Sequence, residues 1–155
     1  MTARVAVVDT NVVVSGLLTS GIDAPTSRIL DSMLSGALQF ALSVELLAEY
    51  RSVLLRKKIR SRHGLDEAQI DTILTAVAEN AVICEPTDPP SYPPDRGDLH
   101  LWALLAARPA TVLVTGDQAL VDNPPDWASV VTPRTFLSVT VPGFRTLECS
   151  QYSTS

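Results

Sequence analysis

Four acidic residues carry the chemistry this sequence can support. The apolar run Val5-Ala6-Val7-Val8 stops on Asp9, and the run Val112-Leu113-Val114 leads through Thr115-Gly116 to Asp117. Both runs read as strands buried on both faces. In an open parallel sheet, ligands bind outside the carboxyl ends of the strands, where the strand order reverses. Two strands that end on Asp therefore predict two carboxylates close together at such an edge. Glu49 lies three residues after Leu46 and four before Val53, so it borders an apolar helical stripe instead of facing water. Asp98 precedes Leu101 and Trp102 by three and four residues, which puts it in a first helical turn on the inward side. Packed carboxylates repel one another and resist ionisation unless a cation neutralises them. Mg²⁺ or Mn²⁺, hard cations that take oxygen ligands, answer that need. A carboxylate-held metal suits phosphodiester hydrolysis, because it activates water and neutralises charge developing on phosphate oxygens.

Each acid also has an ordinary reading. Asp9 and Asp117 can cap the helices that follow them. Glu49 can be a surface residue at the edge of a stripe, and Asp98 a first-turn residue facing the helix dipole. Only the conjunction of four acids at one sheet edge, with no Lys or Arg of obvious pairing, points to a metal. Other chemistries lack their parts. There is no Gly-x-Gly-x-x-Gly after the first strand, no Walker loop and no Gly-x-Ser-x-Gly elbow. Asp9-x-Asn11 is similar to the Asp-x-Asp of haloacid-dehalogenase-like phosphatases, but Asn11 replaces their second Asp. Of the two histidines, His63 belongs to a basic run and His100 reads as a solvated helix residue.

The elements that position these residues alternate between strand and helix. A short helix follows the first strand, with Asn11 as its cap. A second starts at Pro25 or Thr26 and runs to Leu34, closed by Gly36. Residues 38–42 read as the second strand, and Ser43 caps a helix reaching about Lys57. A further helix spans Asp66 to Glu79, and residues 81–84 form a third strand. Residues 86–94 hold five of the eleven prolines, an extended stiff segment that delivers the chain to Asp95 and Asp98. Pro109 ends the helix after Asp98. Strands at 111–115 and 127–131 follow, then a helical turn from Pro133 to Leu137. The pattern predicts an α/β fold, a three-layer α/β/α sandwich with a mostly parallel sheet of about five strands.

The 155 residues suit one domain with a real core, assigned to residues 1–145, with a polar, frayed tail from 146 to 155. No apolar run is long enough to span a membrane, and Met1 to Arg4 read as entering a strand directly, so no signal peptide is expected. Cys84 and Cys149 fit neither a disulfide framework nor a zinc pattern, so a cytoplasmic location is expected. The net charge is −5, yet six of the twelve basic residues (Arg51, Arg56, Lys57, Lys58, Arg60 and Arg62) fall between positions 51 and 62. An acidic protein with one concentrated basic segment can hold a polyanion such as RNA locally.

Four segments then resemble the PIN domain family. They are Val7-Val8-Asp9-Thr10-Asn11-Val12-Val13-Val14-Ser15-Gly16, Leu47-Ala48-Glu49-Tyr50, Asp95-x-x-Asp98 and Leu113-Val114-Thr115-Gly116-Asp117. The segment Val131-Thr132-Pro133-Arg134-Thr135-Phe136-Leu137 is similar to the closing segment of that family's toxin branch. The resemblance covers residues 4–139. It implies a Mg²⁺- or Mn²⁺-dependent endoribonuclease with Asp9, Glu49, Asp98 and Asp117 at the metal-binding positions. Asn11 and Ser15 (or Thr115) match its supporting polar positions. It further implies a homodimer and, for a toxin, an antitoxin protein as partner. The family often carries another Asp two residues after the last motif. Here that residue is Ala119, and Asp122 lies further on, so the metal count stays open. A housekeeping RNA-processing nuclease and a catalytically silent module that binds RNA or protein are the alternatives.

Overall fold

A computed structural model describes residues 4–108 and 110–138. β1 (Val5–Val8) is buried along its whole length, as a strand with neighbours on both sides must be. It leads through Asp9 into α1 (Thr10–Leu18), and Asp9, not Asn11, is the N-cap. The reason is local: Asp9 keeps extended backbone angles and its carboxylate accepts from the Thr10 N–H, whereas Asn11 is already helical. α2 (Pro25–Ser35) starts with proline at its first position and ends on Gly36 at φ +83°, a left-handed conformation that glycine adopts without Cβ strain.

β2 is shorter than its apolar run, Ala41–Leu42 only. α3 (Val44–Leu54) follows, capped by the Ser43 hydroxyl on the Leu46 N–H. The expected continuation to Lys57 does not occur. The chain breaks at Leu55–Arg56 and restarts as α4 (Lys57–His63), then α5 (Glu67–Asn80). His63 explains the break. Its Nε2 meets the Leu54 carbonyl at 2.9 Å, and its Nδ1 accepts from the Leu65 N–H at 2.9 Å. A side chain thus satisfies a carbonyl that the helix leaves open at its end. His63 is a structural junction more than a member of the basic run.

β3 (Val82–Ile83) leads into the proline-rich segment and a single 3₁₀ turn at Arg96–Asp98. α6 (Leu99–Ala107), β4 (Thr111–Val114), α7 (Gln118–Asp122) and β5 (Ser129–Val131) complete the order, and a last helix, α8, covers residues 133–138. All strand pairs are parallel. Pairing divides them into β1-β4-β5 and β2-β3, three strands and two, where one five-stranded sheet was expected. A single parallel bridge, Ala6 to Phe40, joins the sets. The chain leaves β1 towards β2 and β3, then returns to β4 on the other side. The order therefore reverses between β1 and β4, at whose carboxyl ends Asp9 and Thr115 sit. The architecture is consistent with an α/β/α sandwich around a core that includes Phe40, Leu46, Tyr50, Leu104 and Leu113. The tail from 146 and the boundary at 145 lie outside the described residues.

α1 lies close against α2 at Gly16. A Cβ there would stand 2.7 Å from the Thr26 carbonyl oxygen and 2.9 Å from the Leu30 Cβ. Alanine is favoured over glycine by about 1 kcal/mol within a helix. Overpacking against backbone costs about 1–3 kcal/mol and outweighs it. Both contacts fall under 3.0 Å and one is with backbone, which puts the cost at about 2–3 kcal/mol, so Gly16→Ala is expected to lower stability by about 1–2 kcal/mol net in chemical denaturation.

Candidate active site

All four acids singled out above line one cleft of about 710 Å³. Asp9 is 7% exposed. Its Oδ1 accepts from the Thr10 N–H at 2.7 Å, and its Oδ2 accepts from the Thr115 hydroxyl at 2.8 Å and from Asn11 Nδ2 at 3.3 Å. Burial pushes its carboxyl above the usual range, opposed by the Thr115 hydroxyl and the Thr10 N–H and reinforced by Glu49. Asn11 ties the two strand ends together, since its Oδ1 accepts from the Gly116 N–H at 2.9 Å. Asp117 is exposed, takes the Ala119 N–H at 3.0 Å and caps α7. Thr115 is fully buried and also accepts from the Asp117 N–H, so one hydroxyl fixes both strand-end acids.

Asp98 behaves differently. It stands at the cap position of α6 but makes no capping hydrogen bond, and its carboxylate accepts none among the described residues. Burial raises its carboxyl, and Asp9, Asp95 and Asp117 raise it further. Glu49 is half-buried and accepts from two sides, from the Thr10 hydroxyl on Oε2 and from His100 Nε2 at 2.9 Å on Oε1. Beneath it Tyr50 is fully buried and donates to the Val8 carbonyl at 2.5 Å. Its phenol is raised well above the usual value by burial, then by Asp9 and Glu49.

His100 corrects the sequence reading. It is not solvated; its side chain is 9% exposed and faces Glu49. Its place two residues after Asp98 carries no sign of facing it, and nothing in the sequence says that α3 brings Glu49 opposite. Ser15 lines the cleft while its hydroxyl bonds Thr26 at 3.0 Å. The basic segment divides. Arg56 and Arg62 line the cleft with Ile59 between them, at helical spacing. Lys57, Lys58 and Arg60 are exposed and outside it. Arg51 points elsewhere, bonded to Asp71 at 2.8 Å and Glu67 at 2.5 Å, which raises its guanidinium further and ties α3 to α5. It is spoken for, and so is the least suited of the six to hold a phosphate.

The donor set fits a hard divalent cation: oxygen atoms only, from four carboxylates, two of which (Asp9 and Asp98) are raised by burial and by their acidic neighbours. Among the described residues no three of these side chains stand close enough to hold an ion as placed. The acids are grouped at electrostatic range, close enough for Asp9 and Asp117 to raise the Asp98 carboxyl.

A family model described as PIN domain matches residues 5–119, a span that takes in all four acids and ends before β5. No curated protein matches the chain. PIN domains are generally nucleases that use divalent metal ions. No helix among the described residues is long and apolar enough to cross a membrane.

The raised carboxyl of Asp98 has a definite sign. A folded-state value above the unfolded 3.8 means that the ionised acid opposes folding at neutral pH, and that the penalty fades as pH falls through the raised value. Asp98→Asn is therefore expected to raise the melting temperature of the metal-free protein at pH 7 by about 1–3 °C. The gain should disappear as pH approaches 4. Thermal unfolding at several pH values in chelator checks it; a lower melting temperature at pH 7 would show that Asp98 is stabilising.

Proposed function

From the premise that the chain belongs to the PIN domain family, we propose that it is a divalent-metal-dependent endoribonuclease acting on single-stranded RNA. The observation that carries this reading is one cleft that combines Asp9, Glu49, Asp98 and Asp117 with Arg56 and Arg62. A structural cluster of acids has no need of arginines that make no ion pair among the described residues, whereas a site for a polyanion needs both. Asp9, Asp98 and Asp117 would hold Mg²⁺ or Mn²⁺, with Glu49 as a further ligand or as the residue that orients water. Such a metal supplies Lewis-acid stabilisation of phosphate oxygens and a water of lowered pKa.

The chain's own residues do the rest. Thr115, Asn11 and the Thr10 N–H fix Asp9 in one orientation. Arg56 and Arg62 face phosphates flanking the scissile one, while Lys57, Lys58 and Arg60 add longer-range attraction for the strand. Val14, Leu18, Val53 and Ile59 give the cleft an apolar lining against which a base or sugar can lie. The finer reading is the toxin half of a toxin–antitoxin pair. It is supported by the likeness of Val131–Leu137 to the closing segment of that branch, and a short neighbouring gene whose product binds and silences the nuclease would test it.

Two outcomes are expected. Asp9→Asn keeps shape and removes one charge from the centre of the site. It should lower Mn²⁺-dependent cleavage by about 100-fold or more, with the fold intact by circular dichroism. Cleavage at the wild-type rate would place the site elsewhere. Lys– and Arg–phosphate contacts release counterions, so binding weakens with salt at a slope of roughly −0.7 per phosphate on a single strand. Changing Arg56 and Arg62 to Gln together should flatten that slope by about 1–1.5 units. Changing Lys57 and Lys58 to Gln should flatten it less. Equal effects from the two pairs would deny the cleft its part in RNA binding.

A further inference from the structure

His100 has no part in the reading above and does not line the cleft, yet it bonds Glu49, which does. Its side chain is 9% exposed, and its one hydrogen bond among the described residues runs from Nε2 to Glu49 Oε1. A carboxylate only accepts, so Nε2 carries a proton, and Nδ1 is the ring atom left to find a partner of its own. Nδ1 is buried and has no partner among the described residues. A buried polar atom without a partner costs stability, and each such case in a native fold calls for another explanation. A leucine or methionine would fill the same volume in α6 without that cost, so folding alone does not account for an imidazole here.

The other side of Glu49 supplies the explanation. Its Oε2 accepts from the hydroxyl of Thr10, whose backbone N–H holds Asp9. Glu49 is thus gripped at both oxygens, by α1 on one side and α6 on the other, while its own backbone belongs to α3. A glutamate has three side-chain torsions, and at half-exposure nothing else would keep its carboxylate turned into the cleft. We propose that His100 and Thr10 form a clamp that orients Glu49 for its work on the metal-bound site, His100 acting as a positioning residue. The proposal rests on the metal-dependent reading of the cleft. Outer residues that orient metal-site carboxylates and imidazoles are typically worth 10–100-fold in metal affinity or activity.

The test is a double-mutant cycle read by Mn²⁺ calorimetry on the full chain, with no substrate present. His100→Leu fills the space and removes the donor. Glu49→Gln removes the charge that is being oriented. His100→Leu should weaken Mn²⁺ binding about tenfold, and in a Glu49→Gln background it should have little further effect. His100→Gln, whose amide N–H can donate to Oε1, should recover most of the loss. On a single-stranded RNA with Mn²⁺ saturating, His100→Leu should lower kcat with KM changed less than about threefold. A packing role alone would lower the melting temperature without this coupling. If His100→Leu does not fold, Thr10→Val opens the clamp from its other side, with the same loss and the same non-additivity expected. Unchanged Mn²⁺ affinity in these variants, or losses that simply add to that of Glu49→Gln, would overturn the clamp while leaving the nuclease standing. A wild-type chain that neither binds Mn²⁺ nor cleaves RNA would overturn the nuclease reading and the clamp with it.

Discussion

The constraint on which the structure depends is the repulsion among carboxylates at the carboxyl end of two buried parallel strands. Asp9 is buried and would shed its charge if nothing held it, since burial raises its carboxyl. The neighbouring sequence is arranged against that outcome. The Thr10 N–H, the Thr115 hydroxyl and the Asn11 amide all donate to this one side chain. Hydrogen bonds to the ionised form favour it, and so offset part of the desolvation. Thr115 in turn is placed by the ladder, because its N–H donates to the Val131 carbonyl at 3.0 Å and so continues the β4–β5 pairing past the last strand residue. The charge at the site is held by the register of the sheet.

The break between α3 and α4 is the second condition. A single helix through Lys57, which the hydrophobic spacing permits, would carry the basic residues on along the α3 axis. His63 takes the Leu54 carbonyl, Arg56 becomes extended at φ −61° and ψ 138°, and α4 turns. The turn brings Arg56, Ile59 and Arg62 to the cleft and leaves Lys57, Lys58 and Arg60 in solvent. A histidine that reads as one more member of a basic run thus decides which of its neighbours face the acids.

What could be read from the sequence follows how local each cause is. β1 and β4 are apolar and β-branched enough to be read as buried strands, and an Asp at or just beyond each end is visible in one dimension. Glu49 was legible because its spacing to Leu46 and Val53 is a helical property. The three-plus-two pairing was not legible. Leu38 to Leu42 is apolar throughout, but only Phe40 meets Ala6 before the backbone of β2 turns to β3. Arg51 could not be separated from its basic neighbours, because Asp71 and Glu67 reach it from a helix twenty residues on. His100 was misread for the same reason: its partner is 51 residues away and on another element. Contacts made across elements leave no periodicity behind.

The ordinary and functional readings of these acids also turn out not to compete. Asp9 and Asp117 are N-caps of α1 and α7, and both line the cleft. A helix N-terminus presents unpaired N–H groups and a partial positive charge. A carboxylate placed there is held in one orientation by those N–H groups, and carboxylate oxygens are what a hard cation binds. Asp98 occupies the corresponding place on α6 but makes no capping bond, and it is the acid that its neighbours repel most openly. Two acids are held through their caps and Glu49 is hydrogen-bonded by Thr10 and His100, whereas the Asp98 carboxylate accepts no hydrogen bond among the described residues.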